Sequence, residues 1–425
     1  MATQTVPMTG MLAISEALDR LRAYAPVGAL EQVDLAESLG RVLAEEVVAP
    51  VPVPGYDSSA MDGYAFRSAD LQAAGMPVQG RVAAGHPLGE DLRPGCAVRI
   101  FTGGAMPAGA DTVALQEDCL LQDGLVVLPP GLPRGANRRL AGEDMAAGSI
   151  VLTPGTRLRP QHIGVATAVG RTSVLVRRRV RVGVLATGDE VRPAGEPLPP
   201  GCVHDSNRRT IVAALRAMGA EVDDLGIIGD RRDATTAAIT AAAARNDLVI
   251  STGGVSVGDE DHVRAAVEAV GRLEFWRLPV KPGKSIAMGS IGRGSIGSGT
   301  IGRADTVDVP FVGLPGNPVA AMVTFWLIAR PLTLQLMGAA DLDVPRFPVV
   351  AGFSHTRRRG RREFLRCRVV PSPDGIARAE LHPTSGSGLV RSLAWADGLV
   401  EILEEDGDIT AGDVVRYLPY SELDA

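Results

Sequence analysis

The sequence predicts a multidomain chain of the α/β plus β class: a doubly wound α/β unit flanked by small β-rich units. Three observations predict it. From Val180 to Gly338 apolar strand-like runs alternate with helix-like runs, the pattern of strand–helix–strand crossovers. Residues 51–144 and 339–425 instead hold short apolar runs broken by glycine and proline, with little helical periodicity. The length of 425 residues suits about three or more domains at roughly 150 residues each.

The elements follow in order. Met11, Ile14, Leu18 and Leu21 recur at helical spacing over residues 9–25, with Thr9 as the expected cap. A second helix is expected over Ala29–Leu39, closed by Gly40. Pro50, Pro52 and Pro54 then stiffen the entry into the first β-rich unit. Pro160 opens a helix over 160–169. The patterning by itself marks a β-rich unit, the α/β unit and a second β-rich unit.

Within the α/β unit, "RVRVGVLATGDEV" reads as strand and turn, and "DSNRRTIVAALRAMG" as a helix capped by Asp205, Ser206 or Asn207. "AEVDDLGIIGD", "DLVIST" and "LEFWRLPV" read as strands, "RDATTAAITAAAAR" and "DHVRAAVEAVG" as helices. The longest apolar run, Val309 to Ala329, contains Pro310, Pro315, Asn317 and Pro318, so it reads as a strand, a turn and a helix rather than a membrane span. The glycine-rich 289–308 segment reads as a loop or extended hairpin.

Composition narrows the function. A net charge of −6 gives no general attraction to nucleic acid or to an anionic membrane, so any anion site must be local. Cys96, Cys119, Cys202 and Cys367 are widely spaced and form no C-x-x-C pair, which fits a reduced cytoplasmic protein better than a disulfide or zinc scaffold. The first residues carry acids and helical spacing and do not resemble a signal peptide. Of 43 basic side chains only Lys281 and Lys284 are lysine, both in "VKPGKS". A compact ammonium suits a crowded anion site where a planar guanidinium does not fit.

Two turns share one form: "VGVLATGDEV" and "LVISTGGVSVGDED". Each follows an apolar strand and places Thr-Gly before carboxylates. Glycine turns free backbone N–H groups for phosphate oxygens, and a following helix adds its positive end. Glu190, Asp259 and Asp261 would repel such an anion unless a hard divalent cation, Mg2+ by preference, bridges them. The plainer reading is that Asp259 and Asp261 merely favour the start of the next helix. In "VGLPGNPVAA", Asn317 is the expected cap of a long helix. The run "RRRGRREF" reads as a solvated or anion-steering basic face.

Eight stretches in order, "DSSAMDGYAF", "RIFTGGAMPAGADTV", "GEDM", "GVLATGDEV", "DSN", "VISTGGVSVGDEDHV", "VKPGKSIAMG" and "GLPGNPVAAMVTF", closely resemble the MoeA family of molybdopterin molybdenumtransferases, related to the E domain of gephyrin. The resemblance implies an elongated homodimer that inserts molybdate into adenylylated molybdopterin, with AMP leaving and a divalent cation assisting. It also implies the finer division: 1–50 with 145–179 as a segmented unit, 51–144 inserted into it, 180–338 as the α/β unit and 339–425 at the end. It implies Glu190, Asp259 and Asp261 on the metal side, with Asp230 as a candidate fourth. Lys281 and Lys284 would hold molybdate or stabilise developing charge. Gly253, Gly254, Ser256 and Gly258 would cradle the phosphate, with Gly188, Ser206, Asn207, Thr252, Pro315, Gly316, Asn317 and Pro318 also binding substrate. Asp62 and Thr102 would reach the cleft from the partner subunit, and Arg361, Ser385 and Ser387 from the last domain. One departure is Ala320, where similar sequences carry serine. A molybdopterin adenylyltransferase is a candidate partner. It is also the alternative identity, which the length and the flanking β units disfavour. A scaffold on the same fold is the second alternative, which the intact acids and lysines disfavour.

Overall fold

The computed structural model describes residues 12–255, 262–293 and 308–424. The α/β unit comprises β1 (Arg181–Thr187), α1 (Asn207–Ala217), β2 (Glu221–Ile228), α2 (Arg232–Arg245), β3 (Leu248–Thr252), α3 (His262–Val270), β4 (Gly271–Arg277), β5 (Ser285–Ile291), β6 (Val309–Leu314) and α4 (Pro318–Met337). The sheet order is β2-β1-β3-β6-β5-β4. The first four strands run parallel, and β5 and β4 complete the sheet antiparallel. All of β3 and β6 is buried, as expected of strands covered on both faces. The chain steps from β1 outward to β2, then returns across β1 to β3. The strand order therefore reverses at the carboxyl ends of β1 and β3, where open α/β sheets form a crevice.

The apolar run beginning at Val309 is β6, a turn and α4, as its prolines predict. Among the described residues α4 is the one helix long and apolar enough to cross a membrane, and most of it is buried inside the protein. Its hydrogen-bonding widens to a π turn at Phe325–Ala329. That turn lies just before Pro331, which has no N–H to donate and whose ring crowds the carbonyl four residues back. The α/β core gathers Val184, Leu215, Ile250, Val312, Phe325 and Ile328, and Ile14, Ala17 and Leu21 of the first helix join it. That helix spans Ile14–Arg22 and is preceded by Ala13 with no side-chain cap, so the Thr9 cap falls outside the described residues.

The helix expected over Ala29–Leu39 is absent. Leu30–Asp34 is a strand paired antiparallel with Ser173–Arg177, followed by a single 3-10 turn at Leu35–Glu37. Ala, Leu and Glu favour a helix locally, but a pairing with residues about 140 positions away in sequence overrides that preference. The Pro160 helix forms over Pro160–Ala168. Around these elements Leu43, Val47, Leu152, Leu158 and Val174 make a separate core. Of the 289–308 segment, Gly289 to Ile291 complete β5 and Asp308 leads into β6, so its ends do form a hairpin; residues 294–307 lie outside the described residues.

The inserted unit carries a six-stranded sheet in the order Thr112–Leu115, Gly63–Phe66, Ala97–Ile100, Met76–Val82, Leu125–Val127, Leu120–Gln122. In the C-terminal unit, Arg362–Val370 pairs with Arg378–Leu381 on one side and with Gly398–Ile402 on the other. The remaining pairings run through Phe347–Ala351 and Val414–Pro419, closing a small barrel.

Phe325 is 1% exposed in the widened turn of α4. Phe325→Ala is expected to destabilise by about 3–5 kcal/mol through the cavity it leaves, read as a lowered urea midpoint; an unchanged midpoint would contradict this packing.

Candidate functional site

Three turns meet at the strand tips. Gly253 N–H donates to the Leu314 carbonyl at 3.0 Å, joining the end of β3 to the end of β6. Gly253 and Gly254 have φ of 86° and 65°, in the left-handed region that favours glycine. A Cβ at Gly253 would sit 2.6 Å from the Thr187 carbonyl oxygen, and one at Gly254 would sit 2.4 Å from Val263 Cγ2 and 2.6 Å from Thr187 Oγ1. The β3 turn is thus pressed against the end of β1 and the start of α3. At the third turn Pro315 is buried and Gly316 exposed, and a Cβ at Gly316 would lie 4.0 Å from Gly253 Cα. Asn207, at the start of α1, donates from Nδ2 to the Gly316 carbonyl at 2.6 Å. Gly188, Thr252, Gly253, Gly254, Gly316 and Asn207 therefore share one crevice. Ser206 precedes α1 without a side-chain cap bond. Asp205 takes that role, accepting from Arg208 N at 3.1 Å and from Arg208 Nε at 2.6 Å.

Acidic side chains rim the crevice at β1 and β2. Asp189 and Glu190 are exposed, and Asp230 donates its N–H to Asp189 Oδ1 at 3.1 Å. The Glu190 carboxylate folds back over Gly188, where a Cβ would lie 2.5 Å from Oε2. Ser256, Gly258, Asp259 and Asp261 lie outside the described residues. Among the described residues no group of three or more His, Cys, Asp or Glu is placed to hold a metal ion. The donors that are described, Glu190 and Asp230, are carboxylates, which suit a hard divalent cation rather than a thiophilic metal.

The lysine turn packs on α4, the helix that follows the third turn. Gly283 packs against α4, with a hypothetical Cβ 2.5 Å from Thr324 Cγ2 and 3.4 Å from the Ala320 carbonyl. Ala320 is buried, and its carbonyl accepts from Thr324 Oγ1 at 2.8 Å. Val280–Lys281 leaves the α/β sheet and pairs in parallel with Arg362 and Glu363 of the barrel. This separates the two lysines that the sequence aims into one crevice. Lys281 Nζ donates to Glu363 Oε2 at 3.0 Å, whereas the Lys284 ammonium makes no hydrogen bond or ion pair with any described residue; the Lys284 carbonyl accepts from Leu278 N–H at 3.2 Å.

Glu363 is fully buried. Burial alone would push its carboxyl up. Hydrogen bonds from Arg358 N–H, His355 and Lys281 outweigh that and hold it below the usual glutamate range. The sequence reading missed Glu363 and His355. The one signal was a lone acid inside the arginine run "RRRGRREF". In that run Arg358, Arg359 and Arg361 make no ion pair among the described residues, consistent with an anion-steering face.

The barrel also reaches α4. Val319 N–H donates to the Ser387 carbonyl at 3.0 Å, while Ser385 is exposed on the same loop. Asn317 stands at the cap position before Pro318, yet its side chain makes no cap bond. The Ser387 carbonyl serves that helix end instead, and Asn317 Oδ1 faces Gly388. In the inserted unit, Thr102 donates from its N–H and Oγ1 to Asp62 Oδ1 at 2.8 and 2.7 Å, holding Asp62 below the usual aspartate range. Asp62 and Thr102 are therefore brought to each other, within their own unit.

Family models match in chain order: the MoeA N-terminal region (domain I and II) over residues 12–170, a probable molybdopterin binding domain over 183–335, and the MoeA C-terminal region (domain IV) over 348–420. A molybdopterin molybdenumtransferase of Haemophilus influenzae is 34% identical over 417 residues, covering 97% of this chain and 100% of that protein. The chain belongs to the MoeA family. Molybdopterin molybdenumtransferase 2 of Mycobacterium tuberculosis is also 34% identical, over 93% of this chain and 95% of its own length. The molybdopterin biosynthesis moeA protein of Pyrococcus horikoshii superposes with a TM-score of 0.78 at 25% identity, covering 96% of this chain and 100% of that one. The MoeA resemblance of the eight motifs, the α/β plus β class and the expectation of an enzyme are borne out over nearly the whole length.

The two lysines should separate on substitution. Lys281→Ala leaves a buried carboxylate short of a partner and is expected to destabilise by about 1–3 kcal/mol, less than a fully buried pair because Lys281 is 34% exposed. Lys284→Ala should leave the melting temperature unchanged. Because Glu363 is held below its ordinary value of 4.5, its contribution is full above that pH and fades as the pH falls through the folded value. The stability gap between the wild type and Glu363→Gln should therefore shrink in acid denaturation series; a gap that widens with acid would contradict the assignment.

Proposed function

We propose that this chain inserts molybdate into molybdopterin presented as its adenylate, in the last step of molybdenum cofactor assembly. Molybdenum becomes bonded to the two dithiolene sulfurs as one molybdate oxygen leaves as water with the two thiol protons, and a water molecule hydrolyses the pyrophosphate linkage to release AMP and leave the phosphate on the pterin. The observation that supports this reading is the convergence of the glycine turns after β1, β3 and β6, with the Lys281–Lys284 turn packed on the start of α4, the helix that follows β6. The substrate's phosphates and the molybdate dianion repel one another, so a site that unites them must supply positive charge on both sides.

Gly254 presents its backbone N–H to the substrate phosphate, while Gly253, whose own N–H is bonded to the Leu314 carbonyl, shapes the turn, with Gly188, Thr252, Asn207 and the Pro315–Pro318 turn fixing the orientation. Ser256 and Gly258, which lie outside the described residues, are the further residues we propose to bind that phosphate. Lys284, with no carboxylate partner among the described residues, receives molybdate. Arg361 and the Ser385–Ser387 loop close the far side. Glu190 and Asp230, with Asp259 and Asp261, would hold a divalent cation, for which we propose Mg2+, and the cation would neutralise phosphate oxygens. In a homodimer, Asp62 and Thr102 of a second copy complete the cleft, and the pre-ionised Asp62 carboxylate is suited to orient a proton donor there. The substrate would be handed over in the cytoplasm by a molybdopterin adenylyltransferase.

Adding molybdate to enzyme charged with adenylylated molybdopterin should release AMP, measured by chromatography. Lys284→Ala should slow release by at least about a hundredfold, as when an electrostatic contact to the reacting group is lost, and chelation followed by Mg2+ should abolish and restore it. AMP release at the wild-type rate from Lys284→Ala would overturn the lysine's role.

A further inference from the structure

The Lys281–Glu363 contact is the place where the C-terminal barrel enters the crevice chemistry. The strand Val280–Lys281 is part of the chain that forms the α/β sheet, yet it hydrogen-bonds with Arg362–Glu363 of the barrel, and Arg362 N–H donates to the Pro279 carbonyl at 2.8 Å. Residue 281 is thereby fixed in register opposite residue 363. Glu363 Oε2 accepts from Lys281 Nζ at 3.0 Å and pairs with His355 Nε2 at 2.9 Å, while Oε1 accepts from Arg358 N–H at 2.9 Å. Glu363 is fully buried; His355 is 20% exposed and Lys281 34% exposed.

An ammonium has three N–H donors. One is committed to Glu363, so the other two are aimed outward from a fixed point. A carboxylate that must stay buried tolerates few arrangements of its donors, because losing one leaves buried charge short of compensation. The barrel thus holds the ammonium in place more tightly than a lysine stem would by itself. The contact also accounts for a lysine here in a chain that otherwise uses arginine: a guanidinium would have to fit its planar fork between a buried carboxylate and the His355 ring.

We propose that Glu363, clamped by His355 and the Arg358 N–H, is a positioning residue that orients Lys281 for the oxyanion substrate. It touches neither substrate, and it makes the barrel a working part of the site. This rests on the reading that the Lys281–Lys284 turn faces molybdate.

The test measures initial rates against molybdate concentration for purified full-length variants, each at a temperature well below its own melting point. Glu363→Ala removes the acceptor and should raise the molybdate KM by about ten- to a hundredfold, as misplacement of a binding group does. Glu363→Gln keeps an acceptor of the same shape and should recover most of that loss. His355→Gln, which keeps the buried carboxylate paired with Lys281, should raise the molybdate KM by a smaller factor and covers the case in which Glu363→Ala does not fold. Lys281→Arg, retaining charge without the geometry, should resemble Lys281→Ala. A lowered melting temperature with an unchanged molybdate KM in both Glu363→Ala and His355→Gln would overturn the proposal and leave Glu363 a purely structural residue. An unchanged molybdate KM in Lys281→Ala and Lys284→Ala together would instead sink the underlying site reading.

Discussion

The geometry depends on parallel strands ending together at one level. Where the strand order reverses between β1 and β3, the chain must turn sharply without side chains in the way, and Gly253 and Gly254 permit it. Any Cβ there would collide with Thr187 or Val263. The contacts that bring the turns together, including the Gly253 N–H to Leu314 carbonyl bond, leave backbone lining the crevice instead of a layer of side chains. A packing requirement and an anion-binding surface are thus met by the same residues.

Charge is distributed around this frame from three directions. Carboxylates rim β1 and β2, an ammonium with no ion-pair partner among the described residues stands on the turn against α4, and a second ammonium is tethered to the barrel. The barrel also supplies the Ser387 carbonyl that serves the first turn of α4. Two independent attachments, one at Lys281 and one at Val319, tie the small C-terminal unit to the α/β unit. The buried Glu363 is costly in isolation, and three donors from two separate segments, Lys281 and the His355–Arg358 loop, make it affordable.

Much of this was legible in the sequence. Strand–helix alternation marked the α/β unit, and Thr-Gly turns after apolar strands marked the ends of β1 and β3 that the fold brings together. What failed did so for physical reasons. Residues 29–39 carry local helix preference, but the strand partner at Ser173–Arg177 is invisible to any local window. Asn317 has the identity and position of a cap, but a carbonyl from the barrel takes that role. Lys281 and Lys284, three residues apart, look equivalent until the pairing of residue 281 with residue 363 divides them. Long-range pairings carry little trace in local composition, and the partners of Lys281 were therefore read as part of a basic face.

The central claim is that phosphate and molybdate are brought together between the tips of β1, β3 and β6 and the lysine turn. The most direct measurement is a molybdate-soaked crystal with anomalous scattering collected at the molybdenum edge. The account predicts a molybdenum peak within hydrogen-bonding reach of Lys284, on the crevice side of α4. A peak only at the outer arginines of the barrel, with the crevice beside Lys284 lacking molybdenum, would contradict it.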